Sequence, residues 1–170
     1  LTTVDDAGLE QATIELIDSL QQKDKLKIRM YAMVSATQKN LDYYLNKGIV
    51  KTDRLHVRSF KIYGDGALGS RGAAMRKSYS DRDNHFGALI YSPERYREMA
   101  KQIAASEYQM NTHAIGDSAN TWILKTYETF LKGEKNRRWR IEHAQIISED
   151  DFTFFENVLP SIQPTHATSD

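Results

Sequence analysis

Six short segments rich in β-branched and aromatic residues, each separated from the next by a stretch of helical or polar character, leave this chain few ways to fold. They are LTTVDDA from Leu1, KIRMYAMVS from Lys27, LHVRSFKIYG from Leu55, YQMNTHA from Tyr108, RWRIEHAQI from Arg138 and LPSIQPTH from Leu159. Strand-like segments alternating with helical ones are the pattern of a parallel sheet with crossovers, so the expectation is an α/β fold. At 170 residues the chain holds one ordinary core and not two, so residues 1–170 are read as a single domain.

The helical stretches carry their own signals. GLEQATIELIDSLQQ brings Leu9, Ile14, Leu16, Ile17 and Leu20 near one face. SPERYREMAKQIAAS opens with Ser92 as N-cap and Pro93 at the first helical position. DSANTWILKTYETFLKG reads as a helix with Asp117 as N-cap and Gly133 as C-cap. SEDDFTFFENV resembles a capping box, with Ser148 three residues before Asp151, and TQKNLDYYLNKG is the least periodic of the five. One connection breaks the rhythm: residues 65–91 are glycine-rich and polar, and a loop of that length in a compact domain usually carries function.

Charge and composition narrow the chemistry. The 23 basic and 23 acidic residues cancel and are spread along the chain, which leaves no footprint for nucleic acid or anionic lipid. No run is long enough to span a membrane and no signal peptide is visible, so a cytoplasmic setting is the default expectation. The chain has no cysteine, so any metal must be held by histidine, carboxylate or something less usual.

His113 ends one strand segment before the turn AIGD, and His143 ends the next before AQII. Site-building loops leave parallel strands at their carboxyl ends, and two imidazoles on successive strands converge on one ion. Either histidine alone is explained as a strand cap; the matched pair favours a metal. Lys61 lies inside SFKIYGD, where a strand covered on both faces makes an unpaired ammonium costly. Such a lysine reaches an edge, pairs with a carboxylate, or loses its proton and reacts with carbon dioxide to give a carbamate able to bridge two metal ions.

GDGALG, Gly64 to Gly69, competes as a dinucleotide-binding fingerprint. Asp65 inside it would face a pyrophosphate, and the residues after Gly69 make a poor helix, so flexibility explains the glycines more simply. Asp65 and Arg71 are candidates to contact a substrate, or to pair with each other. His166 follows the last strand segment, placed either to hydrogen-bond a substrate or to cap the strand. His56 and His85 have no supporting context.

Taken together, FKIYGDGALGSRGAA, THAIGD, RIEHAQ and SIQPTHATSD resemble the amidohydrolase superfamily, and most closely amidohydrolase family 3, a group that includes N-substituted formamide deformylases and uncharacterised metal-dependent hydrolases. The resemblance covers nearly the whole chain. It implies part of a (β/α)8 barrel, strands two to seven, with Lys61 as a carboxylated, metal-bridging lysine and His113 and His143 as metal ligands. It also ranks Asp65, Arg71 and His166 as substrate-binding residues. The implied cofactor is one or two divalent ions, zinc first. The implied reaction is hydrolysis of the carbon–nitrogen bond of a small amide-type substrate by metal-activated water. The family's His-x-His pair and its final catalytic aspartate are not in this sequence, so the expectation is an internal fragment, inactive alone and self-associating through exposed barrel edges. A non-catalytic barrel with a decayed site is the alternative.

Overall fold

The computed structural model describes residues 1–168, so Ser169 and Asp170 of the last motif lie outside the described residues. Its frame is one sheet of seven strands: β1 (Thr3–Leu9), β2 (Arg29–Ser35), β3 (Val50–Lys51), β4 (Leu55–Tyr63), β5 (Gln109–Ala114), β6 (Arg140–His143) and β7 (Leu159–Ser161). All six expected segments form strands. The addition is β3, a two-residue strand paired antiparallel to β4 and too short to leave a sequence signal.

The other strands pair in parallel in the order β1-β2-β4-β5-β6-β7. Each new strand adds beside the last, with no reversal point of the kind a doubly wound dinucleotide fold requires. A sheet that grows this way with helices on one face is a piece of a (β/α)8 barrel wall. The dinucleotide reading of GDGALG falls with it.

Helices α1 (Gln11–Gln22), α2 (Gln38–Lys47), α3 (Pro93–Ala104) and α4 (Asp117–Leu131) lie between strands. Their apolar faces and the outer face of the sheet form the core, with Tyr96, Met99, Ile103, Ile123, Tyr127 and Trp139 fully buried. A buried hydroxyl relay ties the layers together. Thr112 of β5 meets the Tyr96 hydroxyl of α3 at 2.8 Å and the Tyr127 hydroxyl of α4 at 2.7 Å. Thr112 therefore faces the helices, and period-two alternation puts Gln109, Asn111 and His113 on the inner face.

In β4 the alternation has a break that decides where Lys61 points. Leu55 and Val57 are buried in the core, and so are Phe60 and Ile62, whose parity is opposite. The register supplies the reason: Ala32 pairs with Val57 but Met33 with Ser59, so Arg58 is an extra, bulged residue. A one-residue slip flips every later side chain to the other face. Without the bulge Lys61 would enter the core; with it Lys61 joins His113 on the inner face.

Four expectations about helices need correction. In α1 the buried face is Ile14 and Gln21, while Leu16 is 58% exposed and Leu9 belongs to β1. Ile14 and Leu16 are two residues apart, about 200° around a helix, so they do not share a face. The N-cap of α4 is Gly116, because a side chain there would fall onto the Ala74 carbonyl; Asp117 is the first helical residue and accepts from the Arg76 amide at 2.8 Å. At its other end Lys132 is the left-handed cap, and Gly133, at φ 82°, follows it. SEDDFTFFENV forms a 3-10 helix over Glu149–Glu156, and Ser148 makes no side-chain cap. Its Asp151 is turned instead toward Thr121 and Arg76. Ser92 caps α3 as expected, accepting from the Arg95 amide at 3.3 Å. Among the described residues no helix is long and apolar enough to cross a membrane.

Candidate metal centre

Lys61, His113 and His143 lie toward the carboxyl ends of three adjacent strands, and the charge of Lys61 acts on His113. Tyr63 of β4 pairs in register with His113, and Ala114 with His143, which brings the two histidines side by side. Their rings are edge-to-face with centroids 4.7 Å apart. The backbone is bent to do this: His143 at φ 77° and Ala144 at φ 44° are consecutive non-glycine residues in the left-handed region. Strain of this kind costs roughly 1–3 kcal/mol per residue and is kept where the surroundings impose it, most often at functional sites.

Each ring has one nitrogen already occupied. His113 Nε2 lies 3.3 Å from the Gly66 carbonyl oxygen and 3.5 Å from Asp65 Oδ1, two groups that only accept. A neutral imidazole then carries its proton on Nε2 and leaves Nδ1 as the lone-pair nitrogen. His143 Nδ1 lies 2.9 Å from the Gln163 side-chain oxygen, which places the proton on Nδ1 and frees Nε2. Burial holds His113 below its ordinary pKa, the carbonyl of Gly66 opposes this, and the charges of Lys61 and His143 add to it. The neutral form that results is the one that binds metals.

Lys61 is 5% exposed and its Nζ has no hydrogen-bond partner. It sits 4.4 Å from the centroid of the Tyr63 ring, a cation–π contact that does not replace the lost hydration. Desolvation brings its pKa from 10.5 down to about 8, against the attraction of Glu142 and with the help of Arg140. Those two side chains are paired with each other at 2.6 Å, so Glu142 is shared with Arg140 and not bonded to Lys61.

The remaining candidates are placed differently. The His166 ring lies 6.1 Å from that of His143, and its buried Nδ1 has no hydrogen-bond partner. Asp65 is 1% exposed, and its carboxylate accepts from the amides of Ala74 at 2.9 Å, Ile115 at 3.0 Å and Gly116 at 2.9 Å. It locks the long loop onto the turn after β5. Arg71 is paired with Asp81 at 2.6 Å on the exposed part of that loop, so Asp65 and Arg71 do not pair with each other. The loop itself has no helix or long strand, but the bonds from Met75 to Phe86 and from Tyr79 to His85 fold it back on itself.

The side chains near the site that no sequence motif singles out are Tyr63, Asn111, Arg140, Glu142 and Gln163. Arg140 and Glu142 flank the buried Ile141, so alternation alone would have put them on the inner face; Gln163 carries no such signal.

Among the described residues no group of three or more histidine, aspartate or glutamate side chains is arranged to hold a metal ion. The candidate donors are the imidazoles of His113 and His143, whose ring centroids lie 4.7 Å apart, and the unpartnered amine of Lys61 on the neighbouring strand. That set fits a divalent ion once the amine becomes an oxygen donor, since a carbamate supplies the anionic oxygens that ammonium cannot.

The chain is similar to known proteins in sequence and in fold. A model described as amidohydrolase family matches residues 1–168. Protein LONG AFTER FAR-RED 3 of Arabidopsis thaliana is 34% identical over 152 residues, which cover 86% of this chain and 26% of that protein. A putative amidohydrolase, YtcJ, of Bacillus subtilis (strain 168) is 28% identical over 92 residues, 54% of this chain and 17% of that protein. The chain thus spans about a quarter or less of these relatives. An uncharacterised metal-dependent hydrolase from Pyrococcus furiosus superposes on all of the chain with a TM-score of 0.86 at 25% identity, and the match covers 36% of that structure.

Proposed function

This chain belongs to the amidohydrolase family, and from that premise we propose that it supplies part of the metal centre of a hydrolase acting on carbon–nitrogen bonds of small amide-type substrates. The observation that carries the proposal is Lys61: a buried amine with no hydrogen-bond partner, on the strand next to that of His113, whose ring lies against that of His143.

With a pKa of about 8, roughly a tenth of Lys61 is free amine at pH 7. The Nζ lone pair attacks the carbon of carbon dioxide, a carbon–oxygen π pair moves onto oxygen, and an Nζ proton leaves to solvent. The product keeps one N–H and carries a carboxylate. His113 through Nδ1, His143 through Nε2 and this carboxylate would hold one or two divalent ions, with zinc the first candidate for its affinity for imidazole and carboxylate. The metal, when bound, acidifies water and polarises the scissile carbonyl.

The other residues orient and enclose. Gln163 fixes the His143 tautomer, and the Gly66 carbonyl does the same for His113. Asp65 pins the loop that overhangs the strand ends. Tyr63, 46% exposed, offers an aromatic wall beside Lys61, and the His166 ring stands next to that of His143. Arg71 would have to leave Asp81 to touch one. No His-x-His pair occurs in the 170 residues, so turnover is assigned to the whole protein and not to this segment alone.

The test is a panel of N-formyl, N-acyl and cyclic amides given to the full-length protein, metal-loaded and chelator-stripped. Metal-dependent release of amine, lost in His143→Ala, is the expected result. Metal binding with no hydrolysis of any member would favour a binding barrel with a decayed site.

A further inference from the structure

Beneath the metal centre lies a second orphan that matches the first. Asn111 is completely buried on the inner face of β5, two residues below His113. Its amide nitrogen lies 3.4 Å from the Met33 sulfur, a weak acceptor, and its side chain also interacts with the Tyr31 hydroxyl, while its Oδ1 has no hydrogen-bond partner. Asn111 pairs in register with Lys61 across β4 and β5. An unmatched buried donor and an unmatched buried acceptor therefore sit on laterally adjacent residues, on neighbouring strands about 4.8 Å apart. Native structures keep few such groups, because each loses its water without replacement. An apolar residue would fill the Asn111 position at lower cost unless its oxygen were used.

We propose that Asn111 is a positioning residue for Lys61: its side-chain oxygen accepts the single N–H that a carboxylated Lys61 retains, and so aims the carboxylate up the strands toward His113 and His143. This rests on the carboxylation of Lys61 proposed above. Carboxylation leaves Lys61 with one N–H and an anionic end, and the two ends need different surroundings. Asn111 Oδ1 suits the N–H and repels the carboxylate oxygens. Arg140, which also contacts the Met33 sulfur, at 3.5 Å, is held by Glu142 at 2.6 Å and is not available to draw the carboxylate downward. Asn111 Oδ1 is the unpartnered acceptor on the residue paired with Lys61; the other, the Ser59 hydroxyl, lies one inward-facing pair lower on β4.

The experiment uses full-length protein equilibrated with 13C-bicarbonate, reading the carbamate carbon by NMR and metal content by elemental analysis. Wild type is compared with Asn111→Leu, which removes the acceptor at similar volume, and Asn111→Asp, which keeps size and shape but adds a negative charge. Circular dichroism and thermal melting report folding. Asn111→Leu is expected to lose about five- to tenfold in carbamate occupancy at ambient carbon dioxide, the worth of one hydrogen bond, and to recover with excess bicarbonate. Asn111→Asp is expected to show no carbamate, because its carboxylate holds Lys61 as ammonium. Recovery by bicarbonate separates positioning from structural damage, which bicarbonate does not repair. Full carbamate occupancy in a folded variant at ambient carbon dioxide overturns the role of Asn111 while leaving Lys61 carboxylation intact. If Asn111→Leu does not fold, Asn111→Ala, which removes the same acceptor without branching or added bulk, decides. A wild-type protein with no carbamate signal overturns both.

Discussion

Replacing Lys61 with methionine should make the metal-free protein more stable while destroying its site. Burial lowers the Lys61 pKa from 10.5 to about 8, a difference of about 2.5 units, which at 1.36 kcal/mol per unit amounts to about 3 kcal/mol. The sign comes from proton counts. Below pH 8 the lysine is protonated folded and unfolded, and the folded state bears the whole cost of a buried ammonium. Between pH 8 and 10.5 the unfolded chain binds one more proton than the folded one, so wild-type stability rises with pH. Above 10.5 the amine is neutral in both states and the cost is gone. Methionine, with a similar stem and no charge, never incurs it. Urea unfolding of metal-stripped, carbon-dioxide-depleted protein should therefore find Lys61→Met more stable by about 3 kcal/mol at pH 7, with the gap closing between pH 8 and 10.5. Comparing the two proteins at each pH cancels the other titrating groups. A gap that is absent at pH 7, or that does not change with pH, would refute the reasoning, because it would mean that Lys61 is solvated or paired.

Three further outcomes rest on particular contacts. Gln163→Ala leaves both histidines in place but releases the His143 tautomer, and should weaken metal binding by roughly 10- to 100-fold in a competition titration. Asp65→Asn takes a charge from a carboxylate that accepts three buried amides; it should cost about 3 kcal/mol in chemical denaturation and make the loop of residues 65–91 a preferred site of limited proteolysis. The isolated 170-residue chain, with β1 and β7 each pairing on one side only and with Leu159 and Ile162 exposed beside β7, should elute larger than its 19.5 kDa in size-exclusion chromatography with light scattering.

The parallel sheet is legible in the sequence because its signals are local and repeated. Each strand segment carries β-branched or aromatic residues and each connection has helical or loop chemistry, so the alternation of strand and crossover needs no tertiary information. The histidines are legible for the same reason: THAIGD and RIEHAQ each place histidine where a strand stops. What stays hidden depends on distant partners. The Arg58 bulge that turns Lys61 inward is set by pairing with β2, not by the residues around it. Asp65 reads as a site residue from its loop, yet amides contributed by Ala74 and by Ile115 and Gly116 bury it. Gln163 is an ordinary polar residue until β7 brings it beside His143. The 3-10 segment Glu149–Glu156 reads as a longer helix because its acidic start looks like a capping box; the bond from Thr121 draws Asp151 away from that role.

The account stands or falls on whether Lys61, His113 and His143 hold a metal together. The direct measurement is the elemental metal content of the purified full-length protein beside His113→Ala, His143→Ala and Lys61→Met, each with wild-type circular dichroism. One or two equivalents of a divalent ion in wild type, falling in all three variants, is the predicted result. A folded wild type that takes up no metal, or variants that keep it undiminished, would contradict the account.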